Sequence, residues 1–289
     1  MPSLRHIRKR IASVRNTEQI TKAMKMVAAA KFRRAQEAVL AARPFSRELR
    51  STLSRVARNK DFSDHALLAR RDPVREDLYV LTSDRGLCGS FNSSVLRAVE
   101  HYLLDQIEAG HTVYLHTIGR KGYGYFVKQK IEVGENVTDL LDRPVYRRAI
   151  DLAEQLILRF TARQVDRVVL AFNEFRSAVQ QQVVFRTLLP LDPPEYLADE
   201  RELIDYIYEP ARAELLDRLI RHYLANQIYM VVLESVASEH GARMTAMDNA
   251  TNNANEMIDN LTLQYNKARQ NAITRELMDI VGGAEALTG

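Results

Sequence analysis

One stripe dominates residues 210–283. Leu216, Leu219, Tyr223, Asn226, Met230, Leu233, Ala237, His240, Met244, Met247, Thr251, Ala254, Ile258, Leu261, Tyr265, Ala268 and Ala272 follow one another at alternating steps of three and four. A 3.5-residue period predicts a helix wrapped on another helix. Pro210 suits the first turn, and Gly282 with Gly283 suits a left-handed stop. At 1.5 Å per residue such a helix is roughly 100 Å long, so most of it is expected to protrude from the chain's own globular part or to enter a partner.

Residues 3 to about 58 predict a second long helix. Ser3 caps it, and Leu4, Ile7, Ile11 and Val14 keep the heptad step. After a phase shift at residues 17–19, the stripe is read through Ile20, Ala23, Met24, Val27, Ala28, Phe32, Ala35, Val39 and Ala42. Pro44 is expected to kink or break this helix. Between the two lies a different rhythm. Residues 61–75 read as a linker, and 78–82 (LYVLT) as a strand ending in the turn 83–89 (SDRGLCG). Then come a helix at 92–109, a strand at 113–118, helices at 120–129 and 145–162, a strand at 167–172 and an antiparallel edge strand at 180–189, turned through Arg176 and Ser177. Strands alternating with helices imply a mainly parallel sheet. The expected fold class is α/β: a long antiparallel coiled coil of the N- and C-terminal helices plus a central Rossmann-like α/β domain. The expected division is 1–60 and 210–283 for the paired helices and 76–205 for the central domain.

Charge sharpens this pairing. Residues 1–50 carry thirteen Lys and Arg against three acids, whereas residues 205–289 carry seven bases against twelve acids. The two ends are complements, as expected if the helices lie side by side. Cys88 is the only cysteine, so no intrachain disulfide is possible and a reducing compartment fits. The N-terminus lacks the apolar stretch of a signal peptide, and no run approaches the eighteen or so residues that span a bilayer, so a soluble chain is expected.

Candidate chemistry is sparse. The turn at 83–92 (SDRGLCGSFN) matches neither GxxxxGK[ST] nor GxGxxG, so a phosphate site there competes with a tight structural turn. The seven histidines show no metal-binding spacing and have one cysteine to work with, so no metal is expected. No histidine lies near Cys88 in sequence to make it a nucleophile, and a small buried thiol is the plainer reading. Nucleic-acid binding by the basic helix lacks a recognition module and stacking aromatics; membrane-surface binding lacks bulky apolar anchors.

Three stretches also carry a resemblance. Residues 11–30 (IASVRNTEQITKAMKMVAAA), 83–89 (SDRGLCG) and 265–276 (YNKARQNAITRE) resemble the gamma subunits of F-type ATP synthases, and the match in length and order covers essentially the whole chain. The resemblance implies a non-catalytic rotor subunit without cofactor or metal. Its paired helices would lodge among three alpha and three beta subunits, and its α/β domain would stand on the c-ring against the epsilon subunit. It implies beta-subunit contacts at Met24, Lys25, Arg85, Cys88, Arg243, Arg269, Gln270 and Thr274, with the last three on a catch loop and Arg243 supporting the Met24 region. It implies c-ring and epsilon contacts at Tyr206, Tyr208 and Glu209. Rotation would couple proton flow to ATP synthesis or hydrolysis at the beta sites and help regulate the ATPase. The membrane would be met only through the complex, at the cytoplasmic face of a bacterial inner membrane, and nucleic acid would have no part. The thiol switch of chloroplast relatives is not expected with Cys88 alone. A coiled-coil scaffold and a nucleotide-binding enzyme using the Gly86 turn are the alternatives.

Overall fold

A computed structural model describes residues 3–56, 65–72, 74–142, 144–175, 177, 181–192 and 212–288; in the last helix, side chains are described from 214 to 282. Helix α1 spans Leu4–Val56. There follow β1 (Arg75–Leu81), α2 (Phe91–Glu108), β2 (Thr112–Ile118), α3 (Arg120–Lys128), β3 (Asn136–Val137), α4 (Tyr146–Thr161), β4 (Arg167–Phe175), β5 (Gln181–Leu189) and α5 (Arg212–Thr288). The mixed sheet and the two long terminal helices are those expected from the periodicity. The short β3 was not expected: two residues carry no alternation to read. The predicted turn at Arg176, the start of the linker at 61–64 and the contacts at Tyr206, Tyr208 and Glu209 lie outside the described residues.

The chain divides into two compact units, one formed by Met1–Ala28 with Met244–Gly289 and the other by Ala29–Arg243. The division passes through both long helices rather than falling at their ends.

In the larger unit, a five-stranded sheet has the order β3-β2-β1-β4-β5, parallel except for β4 with β5. One face packs Leu78, Val80, Leu115 and Val169 against Val95, Leu96 and Val99 of α2 and Phe126 of α3. The other packs Tyr79, Leu81, Leu170 and Phe172 among α4, the second half of α1 and the first half of α5. From Tyr223 to Ala242 nearly every residue of α5 is buried, because it is covered on several sides. A helix this apolar all round belongs inside a core.

The start of the sheet is an ionic layer laid down by three successive residues of β1. Arg75 pairs with Asp166, Glu76 with Arg167, and Asp77 with Arg159 at 2.7 and 2.9 Å. Asp77 is fully buried and also meets His116 Nε2 at 3.2 Å. The backbone N–H of Glu135 donates to His116 Nδ1 at 3.1 Å, which leaves the proton on Nε2, facing the carboxylate. Burial works against the Asp77 charge, but the bonds from His116 and Arg159 outweigh it and hold its pKa below the ordinary value.

In the smaller unit the first half of α1 and the second half of α5 run antiparallel. Thr251 Oγ1 donates to Thr21 Oγ1 at 2.8 Å, and Lys25 Nζ meets Asp248 Oδ1 at 2.6 Å. The buried positions on α5 include Met247, Thr251, Ala254 and Leu261, on the predicted stripe. The predicted phase shift on α1 is absent. Leu4, Ile7, Ile11, Val14, Glu18, Thr21 and Ala28 are buried or half-buried at an unbroken heptad step, while Ile20 and Val27 are 60% and 59% exposed. Thr21 can hold a seam position because its hydroxyl is satisfied twice, donating to Glu18 O and accepting from Thr251.

Two stop signals are also overridden. α1 continues through Pro44, which lies on the exposed side, where the carbonyl four residues back can turn to water. α5 continues through Gly282, whose backbone stays helical instead of taking a left-handed cap.

Candidate functional site

The turn at 83–89 leaves the C-terminal end of β1. β2 lies on one side of β1 and β4 on the other, so the chain's crossovers part here, at the position where an open α/β sheet leaves a ligand crevice. Here the crevice is filled from within. Phe91 and Cys88 are buried against Ala242 of α5, and Asn173 Nδ2 donates to Phe91 O at 2.9 Å.

Short local bonds shape the turn. Asn92 accepts from the Ser83 N–H at 2.9 Å and donates through Nδ2 to Ser83 Oγ at 2.8 Å and Cys88 Sγ at 3.2 Å. Ser83 Oγ donates to Arg85 O at 2.5 Å. Asp84 accepts the backbone N–H groups of Arg120 and Asp139 at 2.9 and 3.1 Å. Leu87 and Gly89 are both left-handed, with φ of 62° and 57°. Gly119 closes the neighbouring loop at φ 104°; a Cβ there would lie 1.9 Å from Thr82 O, so only glycine fits.

The result is a turn with an anchored floor and an exposed tip. Arg85 and Leu87 face outward, whereas Cys88 is 2% exposed. Burial pushes the Cys88 thiol up, against the bond from Ser83, so it remains an uncharged packing group. Towards α5 the turn presents carbonyls: Arg243 Nη2 donates to Arg85 O at 3.4 Å and Gly86 O at 3.3 Å. A phosphate cradle presents N–H groups, so this face of the turn suits a cation. Asp84, Asp139 and Asp142 bring carboxylate oxygens within 4.8 Å of one another, but Arg120 meets Asp84 and Asp139, and Arg85 meets Asp142.

Arg243 is enclosed, and Glu239 pairs with it at 2.7 Å. Its Nη1 lies 3.2 Å from His240 Nδ1, and because a guanidinium only donates, that nitrogen accepts. Burial, then the charges of Arg243 and Lys31, push the His240 pKa down to about 4.

The remaining expected contacts lie in the smaller unit. Met24 and Lys25 are half-buried, with Lys25 tied to Asp248. Arg269, Gln270 and Thr274 are exposed, and Thr274 Oγ1 donates to Gln270 O at 2.9 Å. The pairings of 21 with 251 and 25 with 248 put Leu4 opposite about residue 268 in an antiparallel pair. Beyond that point no described residue of α1 faces α5, and every side chain from 269 to 282 is exposed. Ile273, Leu277, Ile280 and Val281 form an apolar face there at helical spacing. The expected stripe ends at Ala272, so it does not include this face. Sequence reading also passed over Leu87, which looks like core, and over Glu239, whose i,i+4 spacing to Arg243 was a usable signal.

The basic face of α1 is also outward. Arg5, Arg8, Lys9, Arg10, Arg15 and Lys22 are exposed, so their charge is directed to the surroundings, not to α5.

A family model described as ATP synthase matches residues 3–287. The ATP synthase gamma chains of Trichlorobacter lovleyi and Geobacter metallireducens are each 48% identical over 289 residues, covering 100% of both chains. In the central stalk and c-ring structure of the Tetrahymena thermophila mitochondrial ATP synthase, one chain is 26% identical at a TM-score of 0.61, over 80% of this chain and 99% of that one. A chain of the Euglena gracilis mitochondrial ATP synthase shares the fold at a TM-score of 0.67 and 18% identity, over 98% of this chain and 94% of its own. With its own α5 seated where a ligand crevice would open, and with full-length relatives that are gamma chains, this chain belongs to the ATP synthase gamma-chain family and is a central-stalk subunit of that complex.

Proposed function

We propose that this chain is the turning shaft through which proton flow at the c-ring drives the nucleotide cycle of the beta subunits, and through which ATP hydrolysis drives the reverse. The observation that carries this reading is the unpartnered end of α5: a helix that outruns α1 and exposes Ile273, Leu277, Ile280 and Val281 beside polar Arg269, Gln270 and Thr274. A contiguous exposed apolar face on an unpartnered helix marks an interaction surface. A sleeve of three alpha and three beta subunits supplies the cover, with Arg269, Gln270 and Thr274 gripping a beta loop. Met24, Lys25 and the exposed Arg85 meet an acidic beta segment, while Cys88 serves from beneath the turn and Arg243 from beside it.

The paired helices, 1–60 with 210–283, form the shaft, and 76–205 forms the foot on the c-ring and the epsilon subunit, with Tyr206, Tyr208 and Glu209 at that contact. No described helix is long and apolar enough to cross a membrane, which agrees with attachment through the complex at the cytoplasmic face of the inner membrane. Contacts between partly wet charges contribute about 1 kcal/mol or less each, enough to bias a moving partner and small enough to release it.

Reconstitution of alpha and beta subunits with the chain tests this directly. ATPase activity is expected to require the chain and to fall in the Arg269→Ala, Gln270→Ala double variant at matched assembly. Turnover indifferent to the chain would leave the scaffold reading in its place.

A further inference from the structure

Arg243 belongs to α5, yet its hydrogen bonds serve another element. Nη2 donates to two successive carbonyls of the turn, at Arg85 and Gly86, while Glu239 closes on the same nitrogen at 2.7 Å. The side chain is 12% exposed, against 77% for Arg85. An arginine this enclosed, already neutralised by a buried carboxylate, is poorly placed to meet a partner. It is well placed to hold the backbone from which Arg85 projects.

We infer that Arg243 is a positioning residue: with Glu239 it latches the turn at Arg85 and Gly86 onto α5, so that the group offered to the partner moves as part of that helix. Ser83, Asp84 and Asn92 hold the floor of the turn, and Ser83 Oγ bonds the Arg85 carbonyl from within; Arg243 is the tie from the α5 side. Residues 84–88 form no helix or strand, and Leu87 is left-handed. On the side facing α5, the Arg85 and Gly86 carbonyls both accept from this one guanidinium nitrogen. The other tip of the guanidinium, Nη1, meets His240 Nδ1 at 3.2 Å, so the planar fork is held at both ends, a geometry that the point charge of a lysine does not reproduce. The partner half of this inference rests on the shaft reading, and the latch half does not.

Two measurements separate these halves. In the isolated full-length chain, hydrogen exchange at the bonded amides that flank the turn, Ser83 and Phe91, is expected to quicken about tenfold in Arg243→Ala, the scale of losing a charge-assisted hydrogen bond, and by less in Arg243→Lys. Amides of β1 should be unmoved in both. Unchanged exchange at Ser83 and Phe91 overturns the latch whatever the chain does in a complex.

In the reconstituted, membrane-bound complex, the readout is protons pumped per ATP hydrolysed, for Arg85→Ala, Arg243→Ala and the double variant. If Arg243 acts through Arg85, each single variant lowers the ratio and the double is no worse than Arg85→Ala. Additive losses would mean that Arg243 works independently, and the inference fails. A merely structural role would lower hydrolysis and pumping together and leave their ratio intact, which also counts against it.

Discussion

Lys25 Nζ and Asp248 Oδ1 lie 2.6 Å apart and tie α1 to α5 in the smaller unit, four residues from the hydroxyl bond between Thr21 and Thr251. Both charges are about two-fifths exposed, so the pair sets register more than it stabilises. Lys25→Ala is therefore expected to cost below about 1 kcal/mol in urea unfolding, with Asp248→Ala similar and the double variant near either single one. In the assembled complex Lys25→Ala should lower ATPase coupling far more than this stability loss suggests. A stability loss several times larger would mean that the pair is structural.

Asp77 is the most exacting position in the ionic layer. Asp77→Asn leaves the Arg159 guanidinium and the Nε2–H of His116 facing an amide in place of a carboxylate, and breaking a buried pair this way costs about 3 kcal/mol. Because its pKa in the folded chain is held below the ordinary 3.8, Asp77 contributes stability above that value and loses it as pH falls through the folded value. Thermal melts should show a shallower acid limb in Asp77→Asn than in the wild type.

His240 makes a second acid limb at higher pH. Its pKa is pushed down from 6.5 to about 4, chiefly by burial and also by Arg243 and Lys31, with Asp142 opposing. The unfolded imidazole then takes up a proton before the folded one does, so stability is full above about 6.5 and falls as the pH drops towards 4. His240→Gln removes the titration and can still accept from Arg243. Its melting temperature relative to wild type should improve as the pH is lowered through this window, and a difference that stays constant would count against the buried, neutral imidazole.

Gly119→Ala tests the packing beneath the turn. The added carbon must displace the Thr82 carbonyl from a backbone already at φ 104°, so a loss of about 3 kcal/mol or more is expected. Gly110, also left-handed but with nothing within 4 Å of its would-be Cβ, should lose markedly less on the same change. Equal losses would show that backbone strain alone decides both.

Much of this was legible in the sequence, and the exceptions share a cause. The α5 stripe is correct from Leu216 to Ala268 because a heptad needs only local periodicity. The α1 phase was misread at Ile20 and Val27 because a large apolar side chain suggests the inside and Thr21 the outside; a hydroxyl bond to Thr251, more than two hundred residues away, reverses that choice. Gly282 promised a stop, but a glycine ends a helix only where its backbone turns left-handed. The plainer reading of Cys88 as a small buried thiol is the one the structure shows; the resemblance placed Cys88 and Arg243 among the beta contacts because a motif shows which residues recur near a site, not which face outward. Their burial comes from α5 crossing the end of β1, a tertiary fact that no local pattern encodes.

The central claim is that the chain turns. Ile107 on α2 is exposed and lies in the part proposed to face the c-ring, which a preparation of alpha and beta subunits with this chain leaves free, so in a Cys88→Ser background Ile107→Cys offers a single handle for a bead. With alpha and beta subunits fixed to a surface, ATP should drive the bead around in one direction, and Arg269→Ala with Gln270→Ala should weaken its torque. A bead that stays still while the same complexes hydrolyse ATP would contradict the account.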